Sequence, residues 1–160
     1  MRTIKAMPLT VEAFREYGEF YSIVEPEGHH MGNFYHDHVL IPVSGNAPMA
    51  CSAYVVKKPE KMIIKEAEYH NDSGEIILPV DGDIITYVAA PSRELDPEAT
   101  VAFVIPKGTV VKLNAGVWHR TSYAVDQETV HTLIMLPERT YKRDCVIVAY
   151  GEENWIEIVR

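Results

Sequence analysis

The sequence predicts an all-β chain, a sandwich or barrel of short strands behind one short N-terminal helix. Two observations carry this. Segments rich in Val, Ile, Thr and Tyr recur at short intervals, each bounded by Gly, Pro, Asp or Asn. Between Phe20 and Arg160 no stretch sustains a long helical period, and many short, regularly spaced strands mean a sandwich or barrel.

In order, Arg2–Met7 reads as a strand. Thr10 is a good helix N-cap, with Glu12 in the first turn, and the helix is expected to run to about Tyr17 and stop at Gly18. Phe20–Asn33 mixes Pro26, Gly28, Gly32 and paired histidines, which reads as an exposed or lid-like loop. Strands are expected at Tyr35–Val43, Met49–Lys57, Met62–Tyr69, Glu75–Val80, Ile84–Ala89 and Thr100–Ile105. Further strands follow at Val110–Lys112, Arg120–Val125, Val130–Leu136, Cys145–Tyr150 and Trp155–Val159. Asp81-Gly82 reads as a tight hairpin with Gly82 at positive φ, and Pro106-Lys107-Gly108 as a turn. Ala90–Ala99 is a surface connection.

The 160 residues fit one domain, 1–160. A net charge of −8, without a basic stripe, argues against nucleic acid as a partner. No apolar run approaches membrane-spanning length and the N-terminus lacks a signal-peptide core, so no membrane partner is expected. Two cysteines, Cys51 and Cys145, make no disulfide framework, and a reduced, cytoplasmic protein is the expectation.

The chemistry concentrates in His70–Gly82 and Asn114–His119. On a strand, residues 68 and 70 share a face, because side chains alternate with period two. Glu75 is expected to return on the next strand, and His119 to arrive from the opposite side of a closed barrel. Glu68, His70, Glu75 and His119 then surround a space for a metal or polar substrate, or form only a surface hydrogen-bonded pair. Two imidazoles and two carboxylates suit Mn, Fe, Zn or Ni.

The spacing Glu68-x-His70, four residues, Glu75, six residues, Gly82 resembles the first motif of the cupins, with Glu68 where that motif has its first histidine. Asn114-Ala115-Gly116-Val117-Trp118-His119 resembles the second, with Asn114 in place of proline. The resemblance implies a double-stranded β-helix, the jelly-roll barrel.

A narrower resemblance covers about Ile4 to Val148. AMPLTVEAFREYG, Tyr35-His36-Asp37, Glu68-Tyr69-His70 with Glu75–Pro79, Phe103–Pro106 and Val117-Trp118-His119 look like the ureidoglycolate lyase family. It implies release of urea from ureidoglycolate to give glyoxylate, in allantoin and purine degradation. It also implies a divalent metal on His70, Glu75 and His119, with Glu68 as ligand or base. The chain departs from the family at Glu75, where glutamine is usual, and in the Asn114–Gly116 loop, which lacks a histidine and an arginine. Alternatives are a metal-dependent cupin isomerase or epimerase acting on a small sugar or sugar acid, and a non-catalytic small-molecule-binding cupin.

His131 is expected inside the barrel as an acid–base or core group. Tyr35, His36 and His38 are expected at its mouth, with His36 a catalytic candidate, and His29 and His30 on a lid or the surface. Trp118 is expected beneath the His119 loop, and Tyr87 and Lys112 are candidate pocket lining. The expected partner is a small polar substrate bearing carboxylate or hydroxyl groups, and the expected assembly, by analogy with cupins, is a homodimer.

Overall fold

In the computed structural model, which describes residues 1–42 and 45–160, the regular structure is almost wholly strand. The first half holds β1 (Arg2–Lys5), β2 (Met7–Pro8), α1 (Val11–Phe14), β3 (Gly18–Ser22), β4 (Met49–Lys57), β5 (Met62–Ile64) and β6 (Glu66–Tyr69). Then come β7 (Glu75–Pro79), β8 (Ile84–Ala89), β9 (Val101–Ile105), β10 (Thr109–Leu113) and β11 (Trp118–Ala124). The last are β12 (Thr129–Pro137), α2 (Thr140–Arg143), β13 (Val146–Ala149) and β14 (Ile156–Val159).

Two large sheets form a jelly-roll sandwich, one ordered β3-β10-β7-β12-β4 and the other β13-β6-β11-β8-β9-β2. From β9 to β12 each connection passes from one sheet to the other, the winding of the double-stranded β-helix. Phe14, Val56, Ile77, Ile84, Val88, Phe103 and Val111 fill the space between them. A three-stranded sheet, β1-β14-β5, belongs with a second core that holds Ile64, Ile85, Tyr87, Trp118, Ile156 and Ile158. The alternate residues of β8 therefore enter two cores, and every one is buried, as expected of a strand covered on both faces.

Thr10 caps α1, accepting from the Ala13 N–H, but the α-helix ends at Phe14 rather than Tyr17. Gly18 opens β3 instead of capping the helix, because a Cβ there would sit 1.8 Å from the Lys112 carbonyl oxygen. Phe20–Ser22 is thus strand, not loop. Residues 35–42 are not the expected strand, and its end at Val43 lies outside the described residues. Tyr35, Val39 and Ile41 border one apolar pocket with Ile76, Leu78, Leu133 and Met135, on the five-stranded sheet's outer face.

Asp81-Gly82 is no hairpin. β7 and β8 belong to different sheets, and Gly82 has no positive φ. Glycine fits there because a Cβ would come within 2.8 Å of the buried Val130 side chain. Lys65 separates two strands where one was expected, sending β5 and β6 to different sheets.

Candidate active site

β6 and β11 are antiparallel neighbours with His119 directly opposite Glu68, so both side chains enter the sandwich while Ala67 and Trp118 face the second core. His119 does not come from across the barrel. Glu75 does, because β7 lies in the facing sheet. Gly74 makes the crossing possible, as a Cβ there would lie 2.4 Å from the Leu113 carbonyl oxygen. The two motif loops touch directly: the Gly116 N–H donates to His70 O at 2.6 Å, with Gly116 at φ 81°.

Glu75 Oε2 lies 3.1 Å from His119 Nε2 and 3.4 Å from His70 Nε2, and all three side chains are buried. Each histidine spends Nδ1–H on a backbone carbonyl, His70 on Asp144 O at 2.6 Å and His119 on Val117 O at 2.9 Å. That leaves both Nε2 atoms facing one carboxylate oxygen. Neutral imidazoles would turn lone pairs toward that oxygen, so the cluster requires a proton or a cation between them. Burial opposes the charge of Glu75, but the charge and hydrogen bond of His119, aided by His70, hold its carboxyl down at about 2. Burial likewise disfavours His119 cation, yet Glu75 outweighs it and raises the imidazole. Glu68, His70 and His119 present ligand atoms within 4.8 Å of one another, so the donor set fits a divalent cation.

Glu68 carries further partners. Arg120 bridges Glu66 and Glu68, and Cys145 Sγ donates to Glu68 Oε2 at 3.2 Å. Burial, then the Glu68 hydrogen bond and charge, push the Cys145 thiol up to about 11, so it remains a donor. Arg120 follows His119, and strict alternation would send it to the opposite face. The register between β11 and β8 slips instead: His119 faces Val88 and Ser122 faces Thr86, three steps against two. This bulge puts Arg120 on the wall of the same cavity.

That cavity has a volume of about 650 Å³, within the range of small-molecule sites. His70, Glu75 and Glu68 line its polar end, Ile77, Ile134 and Leu136 an apolar wall, and Tyr54, Arg139 and Tyr141 also border it. Asp144 braces the site, because its carboxylate accepts from the Asn71 and Asp72 N–H groups while its carbonyl holds His70.

The ureidoglycolate lyase family model matches residues 1–157. The chain belongs to the ureidoglycolate lyase family. Similar solved structures include an oxalate decarboxylase from Bacillus subtilis, described for its Mn(II) centres, at 17% identity and TM-score 0.46. The match covers 68% of this chain and 26% of that one, so the chain spans about a quarter of that protein's length. A dTDP sugar isomerase from Desulfovibrio desulfuricans G20 matches at 12% identity and TM-score 0.49, over 86% of this chain and 85% of that one. At this level such likenesses say nothing about chemistry. No curated protein sequence matches the chain.

For this family member, His70, Glu75, His119 and Glu68 come together. His131 does not join them, because β12 alternates and turns it outward, where it pairs with Asp81. Nor does His36, which packs against the rings of His29 and Phe34 and is not among the described residues lining the cavity. His38 stacks on Tyr21, and it and Tyr35 lie on the outer sheet face rather than at the cavity mouth. Trp118 lies in the second core, edge-on to Tyr69, its Nε1 donating to Ser92 Oγ. Tyr87 belongs to the second core and Lys112 reaches Asn114, so neither lines the cavity. Sequence reasoning passed over Glu66, Arg120, Arg139 and Cys145. Only Glu66 carried a readable signal, two residues before Glu68 on one strand face.

Proposed function

We propose that the protein, acting as one domain over residues 1–160, is a carbon–nitrogen lyase that releases urea from ureidoglycolate and leaves glyoxylate. The observation that carries this is the buried His70–Glu75–His119 cluster, which meets Glu68 at one end of a cavity bordered by arginines. Together with membership of the family, it gives a small polar acid a place to bind beside a proton carrier.

His70 and His119 would hold a divalent cation, among Mn, Fe, Zn and Ni, together with a carboxylate of the cluster, Glu68 or Glu75. When bound, that cation supplies Lewis acidity. Glu68 takes the proton of the carbinol hydroxyl as the carbonyl of glyoxylate forms. The C–N bond breaks with its electron pair on nitrogen, and Glu68 returns the proton there, completing urea. Hydroxyl and nitrogen share one carbon, so a single carboxylate reaches both. Arg120 and Cys145 fix Glu68 through Oε2 and leave its other oxygen for the proton.

Two free cysteines fit a reducing, cytoplasmic setting. The exposed apolar edge strand β13 supports a homodimer, which light scattering would reveal. The deciding experiment measures metal content of protein purified without a histidine tag, alongside urea release from ureidoglycolate. Stoichiometric metal with urea and glyoxylate in equal amounts is expected. Metal-loaded protein that forms no urea would exclude the lyase.

A further inference from the structure

Building on that reading, we infer that Arg139 recognises the substrate carboxylate and that its left-handed backbone aims it there. The cavity wall carries three acids, Glu66, Glu68 and Glu75, and two arginines, Arg120 and Arg139. Arg120 is committed to Glu66 and Glu68. Arg139 is exposed and, among the described residues, has no side-chain partner. The divalent cation that the cluster would hold offers an anionic substrate one point of charge, and a free guanidinium adds the planar, two-pronged partner a carboxylate fits.

A second observation is independent of charge. Arg139 has φ 62° and ψ 25°, a region that costs any residue with a Cβ. Asp37, the other non-glycine residue there among the described residues, has a short polar side chain that tolerates it. Arginine has no such excuse. Its neighbours are pinned: the Glu138 N–H donates to Pro48 O at 2.8 Å, and the buried Thr140 hydroxyl donates to Pro137 O at 2.7 Å. The strained residue stands between β12 and α2, on the cavity wall, and such strain persists where surrounding structure imposes it and gathers at ligand sites.

The test uses Arg139→Gly, which keeps the left-handed conformation and removes only the guanidinium, and Arg139→Lys, which keeps the charge. Full-length proteins of matched metal content are titrated with glycolate and with its neutral amide, glycolamide. Wild type should prefer glycolate. Arg139→Gly should lose that preference by about tenfold or more, Arg139→Lys should keep part of it, and Arg139→Gly should melt at the same temperature or higher. KM for ureidoglycolate should rise in Arg139→Gly with kcat nearly unchanged. An unchanged preference in Arg139→Gly, or a wild type with none, overturns the assignment. A wild type that forms no urea but shows the Arg139-dependent preference removes the lyase and leaves the carboxylate site standing.

Discussion

His119 and Glu75 form one histidine–carboxylate pair, and His131 and Asp81 form another. The first spans 3.1 Å with side chains 3% and 10% exposed, the second 2.5 Å with side chains 60% and 45% exposed. Judged by distance, the second is the better pair. Water decides otherwise: around His131 and Asp81 solvent and salt screen the attraction, whereas the buried pair feels it almost undiminished. Burial also brings in His70 and Glu68, which turns a pair into a site with room for a cation. Proximity of a histidine and a carboxylate therefore identifies nothing until their surroundings are known.

The comparison breaks most directly at the buried pair. His70→Ala and His119→Ala should each abolish metal retention and lower urea release by more than about a hundredfold, beyond the usual loss of a ligand-orienting partner. Elemental analysis beside a urea assay reads both, and unchanged metal content in both variants would remove the metal site. Glu68→Gln comes next. With metal retained, its kcat should fall about a hundredfold or more, the scale of one positioned acid–base group. Loss of metal instead would make Glu68 a ligand and not the proton carrier.

A pH series sharpens the contrast. In metal-free protein the folded His119 is raised above 6.5, so its stabilisation is complete below that value and is lost as pH climbs through the folded one. Glu75 is held down from 4.5 to about 2, so its stabilisation is complete above 4.5 and is lost as pH drops toward 2. The pair supports the fold most between 4.5 and 6.5. Denaturant midpoints of metal-free wild type should be higher at about pH 5.5 than at about pH 8.5, with the difference reduced in Glu75→Gln. The opposite order in wild type would mean that His119 is not held as a cation. The smallest effect belongs to the exposed pair: His131→Ala should leave urea release intact and move Tm by less than about 3 °C. A large loss of activity there would invalidate the contrast.

Legibility in the sequence varied with the range of the interaction involved. Thr10 was readable as a cap because its partner is three residues away. The motif spacing of His70, Glu75 and His119 was readable because each sits near a strand end in its own loop. Residues 35–42 misled, since apolar residues that run beside a sheet have the same composition as those within one. His131 misled because alternation states which residues share a face and not which face turns inward.

By itself, the sequence determined the all-β class, most strand positions and three residues of the buried cluster, all of which follow from local periodicity, turn chemistry and short-range spacing. Tertiary structure alone decided that Glu68 stands directly beside His119 while Glu75 crosses from the facing sheet. It also decided that a bulge delivers Arg120, and that Arg139 adopts a left-handed turn at the cavity wall. These depend on register between strands far apart in the chain, which is set by the packing of whole faces and leaves no local mark.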